Sequence, residues 1–248
     1  MQKKDASSTA VAKVAEAMRK EALQCAEGDL LGSEDSLVAR YQVSRPTLRQ
    51  AAGVLAQEQL LMVRRGVGGG YFARRPEAKA VSSIAALYLK AHNAPISEVV
   101  ATFAPIRVEL ARLAASCQDE ELRDELRKLF AETQTSASAE PNFVDFLLRE
   151  RRFYELLGKM SGNKTLQLFL SILLDVAART SRSDDLYRHR PERMAMLNGE
   201  LNHLGAAVLA NDEELALLYA NRCAKMSSGW LKEDLNRRSE PPGKRETT

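Results

Sequence analysis

The stretch from Leu31 to Arg75 reads LGSEDSLVARYQVSRPTLRQAAGVLAQEQLLMVRRGVGGGYFARR. Its pattern predicts two short helices, a third helix and a glycine-turned β-hairpin, which is the order of a winged helix-turn-helix. Between Arg40 and Arg75 there are seven arginines, no lysine and a single acid, Glu58. A compact segment with this charge balance favours a phosphate backbone as its partner.

Capping residues fix where the first two helices begin. Ser33 precedes an apolar stripe at helical spacing, and that helix is expected to stop at Gln42-Val43. Ser44 is a second capping residue, and Pro46 falls in the first turn of the next helix, where its missing amide costs nothing. A new helix is therefore predicted to start sharply at Ser44.

This second helix is the candidate for reading DNA bases. Arg45 and Arg49 lie four residues apart on the face opposite its apolar side chains. In the major groove, an arginine at a helix start can hold guanine O6 and N7 with two parallel hydrogen bonds, and Thr47 can reach a phosphate or a thymine methyl. Together with the capping Ser44, these residues form the predicted reading surface.

A hairpin wing is predicted after the reading helix. Residues 60–64 favour a strand, and Tyr71-Phe72 opens a second strand beyond a glycine-rich turn. Glycine permits positive φ and close backbone approach to phosphates, so Arg64, Arg65 and Gly66 are expected to contact DNA from the tip. A nucleotide-binding loop also uses glycines, but it would continue into a Lys-Ser/Thr helix start.

The motif LxSExxLxxxYxVSRxTLRxA followed by a short helix and RRGxGGGYF resembles the DNA-binding domain of the GntR superfamily of bacterial transcription regulators. One departure is Asp35, which stands where some members have an arginine, so the resemblance implies no phosphate contact from that position. The positions that the resemblance implies to contact operator DNA are Arg45, Thr47, Arg49, Arg65 and Gly66.

Length and charge indicate two domains. The chain has 248 residues with 45% hydrophobic content, enough for two cores. Residues 1–76 carry twelve basic and eight acidic side chains, a net charge of +4, which leaves −1 of the total +3 for the remainder. Arg74 and Arg75 are open to a DNA contact or to being solvated linker charges. The predicted divisions are a winged domain (1–76), a linker and connecting helix (77–95), a helical domain (96–234) and a disordered tail (235–248).

From Ala80 to Asp234 the apolar residues recur at helical spacing, which predicts an all-α bundle of six or seven helices. Pro95 and Pro141 each mark a helix start, Ser161-Gly162-Asn163 marks a turn, and Asn211-Asp212 begins the last helix. The predicted fold class is therefore mainly α, with a small β-hairpin wing in its first domain.

Phrases in this region, above all F-x-x-x-L-x-x-x-SGN-x-x-L from Phe153 to Leu166, resemble the effector-binding FCD domain of the FadR-like branch of the same superfamily. The resemblance covers most of residues 96–234. It implies a helical bundle that encloses a small-molecule pocket and dimerises.

Many FCD domains hold a divalent metal between one acid and three histidines. Matched position by position, the acid falls on Glu150 and the three histidine positions fall on Tyr154, Leu201 and Cys223. A shift of the alignment by two residues would bring in His203, but one imidazole and one carboxylate still make a poor site, so no metal and no cofactor are expected. The same four positions, with Arg107, are the predicted effector pocket.

Two polar side chains are candidates for holding an effector. Arg107 suits bidentate recognition of a carboxylate, but a surface or interhelical ion pair, for instance on the side of Glu109 or with Glu150, would also explain it. Tyr154 is open to a ligand contact or to being a core aromatic with a satisfied hydroxyl. A small organic acid or an acyl-CoA-like molecule is the expected effector.

These expectations describe a cytoplasmic, ligand-responsive repressor that binds double-stranded operator DNA as a homodimer. No apolar run is long enough to span a bilayer. The chain lacks GxSxG, HExxH and a phosphate loop, which argues against an enzyme. The alternative is a DNA-binding protein whose helical domain binds a protein partner rather than a small molecule.

Overall fold

A computed structural model describes residues 2–135, 143–179 and 186–239 of the chain. The chain divides into two compact units between Glu77 and Ala78. Each unit has its own hydrophobic core. No helix among the described residues is both long and apolar enough to cross a membrane.

The first unit is a winged helix-turn-helix. Its three strands form one antiparallel sheet in the order β1-β3-β2, and β2 pairs with β3 from Leu61↔Ala73 to Arg64↔Gly70. Its elements are α1 (Gln2–Gln24), β1 (Leu30–Gly32), α2 (Glu34–Tyr41), α3 (Arg45–Gln57), β2 (Leu61–Arg64) and β3 (Gly70–Ala73).

The capping residues act as predicted. The Ser33 side chain accepts a hydrogen bond from the Ser36 amide, and α2 ends at Gln42, whose φ of 52° turns the chain out of the helix. Ser44 caps α3, and Pro46 lies in its first turn. Local hydrogen bonding therefore sets the turn between the two helices.

The expected third helix between Leu31 and Arg75 is wrong. The stretch holds only α2 and α3, because α3 runs unbroken to Gln57 through alanine, leucine and glutamine, which are good helix formers. The remaining helix of the domain is α1, which precedes the stretch and buries Val14, Met18 and Ala22 at helical spacing. Strand β1 was not predicted, because three residues carry no periodicity.

The second unit is an all-α bundle, as predicted, and strands are found only in the first unit among the described residues. Its core includes Leu110, Leu126, Phe146, Leu157 and Leu204, all fully buried. Its helices are α4 (Ala78–Ala91), α5 (Ile96–Ala114), α6 (Glu120–Thr135), α7 (Phe143–Met160), α8 (Lys164–Arg179), α9 (Pro191–Leu209) and α10 (Glu213–Ser239).

Most predicted helix boundaries are confirmed. Pro95 is the residue before α5, Gly162 lies in the turn between α7 and α8 with φ 64°, and the Asp212 side chain accepts a hydrogen bond from the Leu215 amide at the start of α10. Pro141 lies outside the described residues. The helix of the predicted connecting segment, α4, packs against α8 within the second unit.

The predicted disordered tail begins too early. Helix α10 continues through residues 235–239, and residues 240–248 lie outside the described part of the chain. The Asp234 carboxylate forms ion pairs with Arg193 at 3.0 Å and with Arg190 at 2.9 Å. Because these contacts hold the last turns of α10 against the start of α9, a polar composition there does not prevent a helix.

Candidate nucleic-acid interface and ligand cavity

Helix α3 presents its two arginines to solvent. The Ser44 hydroxyl lies 2.8 Å from the Thr47 hydroxyl and accepts a hydrogen bond from the Thr47 amide at 3.3 Å. These contacts fix the start of the helix. The side chains of Arg45 and Arg49 are 62% and 67% exposed. The opposite face of the helix is buried through Leu48, Ala51, Ala52 and Leu55.

Two carboxylates from the first turn of α2 contact these arginines. Arg45 donates from Nη2 to Asp35 Oδ1 at 2.7 Å. Arg49 donates from Nε and Nη2 to the two oxygens of Glu34 at 3.1 and 2.9 Å, and the Tyr71 hydroxyl donates to Glu34 at 3.5 Å. The arginine-rich sequence window begins after both acids, so sequence reasoning missed this pairing.

The wing residues lie where the hairpin was predicted. The Arg64 guanidinium stacks on the Phe72 ring at 4.4 Å, Arg65 is exposed at the turn, and Gly66 has a φ of 92° that favours glycine. A groove of about 720 Å³ lies between α3 and the wing and is lined by Arg49, Arg64 and Arg65. Three arginines thus face one concave surface.

The two arginines after the wing are neither on this surface nor freely solvated. Arg75 donates to the backbone carbonyls of Ala22, at 2.9 Å, and Cys25. Those carbonyls lie at the end of α1, where no helical amide is left to bind them. Arg74 pairs with Glu77 at 3.2 Å. Arg75 therefore closes the first unit by holding the end of α1.

The second unit contains a cavity of about 290 Å³. Its walls are mostly aliphatic and come from α5, α7, α8 and α10, with Tyr187 from the segment before α9. Arg107 and Glu150 lie on its surface. An apolar cavity with a few convergent polar groups is typical of a small-molecule site.

Arg107 and Glu150 form a desolvated ion pair. Arg107 Nη2 lies 3.4 Å from Glu150 Oε1, and the side chains are only 12% and 10% exposed. The guanidinium lies over the ring of Tyr154 at 4.0 Å and over that of Phe103 at 4.4 Å, and its buried Nε has no hydrogen-bond partner among the described residues. Burial raises the pKa of Glu150, an effect that the positive charge of Arg107 opposes.

The four positions matched to the metal ligands of FCD domains do not fit a metal. Tyr154 stacks on Arg107, and burial raises its pKa well above the ordinary value. Leu201 has no donor atom. Burial raises the pKa of Cys223 to about 12, which keeps the thiol protonated. Glu150 is the one good oxygen ligand of the set, and it is already paired with Arg107.

Sequence reasoning missed the polar groups on the other side of the cavity. Tyr187, Ser227 and Ser228 line it, and the hydroxyls of Tyr187 and Ser227 are 3.5 Å apart. Arg151 also lines it and pairs with Asp175 at 2.7 Å. No local motif marks these residues, because they meet only when α7, α8 and α10 pack together.

Both units match known protein families. The model described as bacterial regulatory proteins, gntR family, matches residues 9–69, and the FCD domain model matches residues 98–223. No curated protein is similar enough in sequence to match.

Solved structures were compared with the chain. The GntR protein of Streptococcus agalactiae matches with a TM-score of 0.64 at 19% identity, over 90% of this chain and 99% of that chain. At this identity the likeness shows a shared fold and nothing more. McbR/YncC of E. coli matches with a TM-score of 0.46 at 14% identity, over 93% of this chain and 99% of that chain.

Proposed function

The chain belongs to the GntR family of transcription regulators, with an FCD effector-binding domain as in the FadR-like branch, and on that premise we propose that it is a cytoplasmic repressor released from operator DNA by a small organic acid. The family is one of regulators rather than enzymes. The observation that carries the proposal is the exposed arginine face of α3 beside the arginine-lined wing.

The reading mechanism follows from the geometry of α3. With its start in the major groove, Arg45 and Arg49 reach base edges, and each bidentate contact with guanine discriminates by about 1–3 kcal/mol. Ser44 and Thr47 lie at the capped end, where hydroxyls and amides suit a phosphate. Arg64, Arg65 and Gly66 reach the neighbouring backbone from the wing.

The test is enrichment of duplexes from a random-sequence pool by the purified protein, followed by affinity measurements at several salt concentrations. We expect selective binding that weakens with salt and is abolished by Arg45→Ala/Arg49→Ala. Arg74→Ala is the control, because it removes an exposed arginine of the same unit that pairs with Glu77. Equal binding of all duplexes by the wild type would refute DNA reading.

The cavity supports a small effector over a protein partner. Its mostly aliphatic walls with one arginine and a few hydroxyls match the side chain and the acid group of an apolar organic acid. In this proposal Arg107 binds the acid group, Tyr154 holds the guanidinium in place, Glu150 competes for it, and Leu201 and Cys223 contribute only packing.

Arg107→Lys tests the effector site, since it keeps the charge but loses the planar fork. Small monocarboxylic acids are screened for a rise in the unfolding temperature of the wild type and for release of the enriched duplex. A tenfold loss of operator affinity requires about 1.4 kcal/mol of preference for the released state. An unchanged response in Arg107→Lys would remove Arg107 from the site.

A homodimer is proposed because one reading helix contacts only a few base pairs, whereas a two-fold dimer matches a palindromic operator. Helix α4 carries an exposed apolar stripe that suits such a contact. Its members are Val81, Ile84, Leu87 and Tyr88. We expect Ile84→Glu/Leu87→Glu to sediment as a monomer, whereas Met196→Glu, an exposed apolar position on α9, should not change the mass. A wild type that is monomeric at operator-saturating concentration would refute the dimer.

A further inference from the structure

The two carboxylates of α2 that contact the reading helix α3 differ in their surroundings. Glu34 is 28% exposed and ties together α2, α3 and β3 through Arg49 and Tyr71. Asp35 is 77% exposed, and in the described part of the chain its side chain contacts Arg45 alone. Glu34 therefore links three elements, whereas Asp35 lies in the first turn of α2, where an acid favours the helix start, and links α2 to Arg45 alone among the described residues.

The contact leaves Arg45 free to bind a base. A guanidinium has five N–H donors; Asp35 takes one of them at Nη2, and Glu34 Oε1 lies 3.8 Å from Nε, beyond hydrogen-bond distance. The remaining donors suffice for a two-bond contact with guanine while Asp35 stays in place. A carboxylate held in this way restricts the rotation of an exposed arginine side chain, so it orients Arg45 along the reading face.

The same carboxylate is unfavourable next to phosphate. Non-specific binding depends on basic side chains that contact the phosphates of the DNA backbone, whatever the base sequence. A phosphate bound by Arg45 in its paired position would lie close to the Asp35 carboxylate, which repels it. If Arg45 instead turned away from Asp35 to reach a phosphate, Asp35 would face the negatively charged backbone without a partner. Like charges at an interface suppress the wrong complex more than they weaken the right one.

We propose that Asp35 is a specificity-determining residue, which orients Arg45 toward guanine and penalises binding of Arg45 to the phosphates of non-operator DNA. This inference rests on the proposed function, because it requires α3 to read bases. It also gives a role to the one acid that departs from the DNA-binding motif.

The test compares the wild type with Asp35→Asn on two probes, a duplex enriched by the wild type from a random-sequence pool and a scrambled duplex of the same composition. Asp35→Asn is expected to bind the scrambled duplex about threefold to fivefold more tightly, the scale of an exposed ion pair. Its affinity for the enriched duplex should stay unchanged or fall. The ratio of the two affinities then drops at least about threefold.

Glu27→Gln is the matched control, because it removes one exposed acid of the same unit that takes no part in the described contacts of Arg45 or Arg49. It should leave the ratio unchanged. Equal ratios for the wild type and Asp35→Asn would overturn the inference, as would an equal drop in Glu27→Gln.

Other outcomes separate the inference from the function on which it rests. Loss of affinity for the enriched duplex alone, with the scrambled duplex unchanged, would be explained by the orientation of Arg45 without any penalty and would overturn the penalty on phosphate binding. A wild type that enriches no sequence would overturn the proposed function and this inference together. Retained enrichment with an unchanged ratio in Asp35→Asn would overturn the inference alone.

Discussion

The buried ion pair between Arg107 and Glu150 allows a double-mutant cycle on the second unit. The three variants are Arg107→Met, Glu150→Gln and the double substitution, each close in volume to the original side chain. Because the two side chains are 12% and 10% exposed and 3.4 Å apart, neither charge has much water to replace its partner.

The two single changes are expected to differ in size. Arg107→Met leaves Glu150 charged in an apolar cavity and should lower the free energy of unfolding by about 3–5 kcal/mol. Glu150→Gln leaves Arg107 over the rings of Phe103 and Tyr154, a cation–π contact that contributes about 2 kcal/mol when desolvated, so its cost should be smaller. The double variant should regain at least about 2 kcal/mol relative to the sum of the singles.

Urea unfolding followed by the fluorescence of Trp230 is the assay, because this single tryptophan lies in the second unit and packs against Tyr187. The loss in free energy of unfolding caused by Arg107→Met should also become smaller as the pH falls. Burial already raises the pKa of Glu150, and loss of the arginine removes the one effect that lowers it. Protonation then neutralises the stranded carboxyl.

The reasoning is refuted if the two single changes add to within about 0.5 kcal/mol, since independent sites behave in that way. A deficit in Arg107→Met that does not depend on pH would likewise show that Glu150 is not stranded as a charge.

Three further outcomes are expected. Gly205→Ala should lower stability by about 1–3 kcal/mol in urea unfolding, because its new Cβ would lie 1.7 Å from the Phe130 ring, whereas Gly199→Ala on the same helix meets nothing within 4 Å and should be neutral or stabilising. Cys223, which is 1% exposed, should react with a thiol reagent at pH 8 only after unfolding, while Cys25, which is half-buried, should label in the native state. Because the folded-state pKa of Cys223 is about 12 against an ordinary value of 9.0, its contribution to stability is present below pH 9 and is lost as the pH rises toward 12, and Cys223→Ala should unfold with a shallower alkaline dependence.

The sequence by itself determined the local features of both units. Ser33 and Ser44 mark helix starts because a capping hydroxyl bonds an amide two or three residues away, and the glycine turn follows from the φ that Gly66 can adopt. The arginine face of α3 follows in the same way from the spacing of its apolar residues. Each of these features depends on residues that lie within one or two helical turns of one another, so the sequence alone is sufficient to predict it.

Only the tertiary structure decided which side chains meet. Asp35 contacts Arg45 because the packing of α2 against α3 brings the two side chains together. Arg75 binds a backbone carbonyl at the end of α1 that lies more than fifty residues away in the sequence. The cavity groups Arg107 with Glu150 because α5 packs against α7, and Ser227 joins them from α10. The periodicity of apolar residues predicts the buried face of each helix, but it does not predict the relative axial position of two packed helices. That position depends on the packing of all the side chains between them.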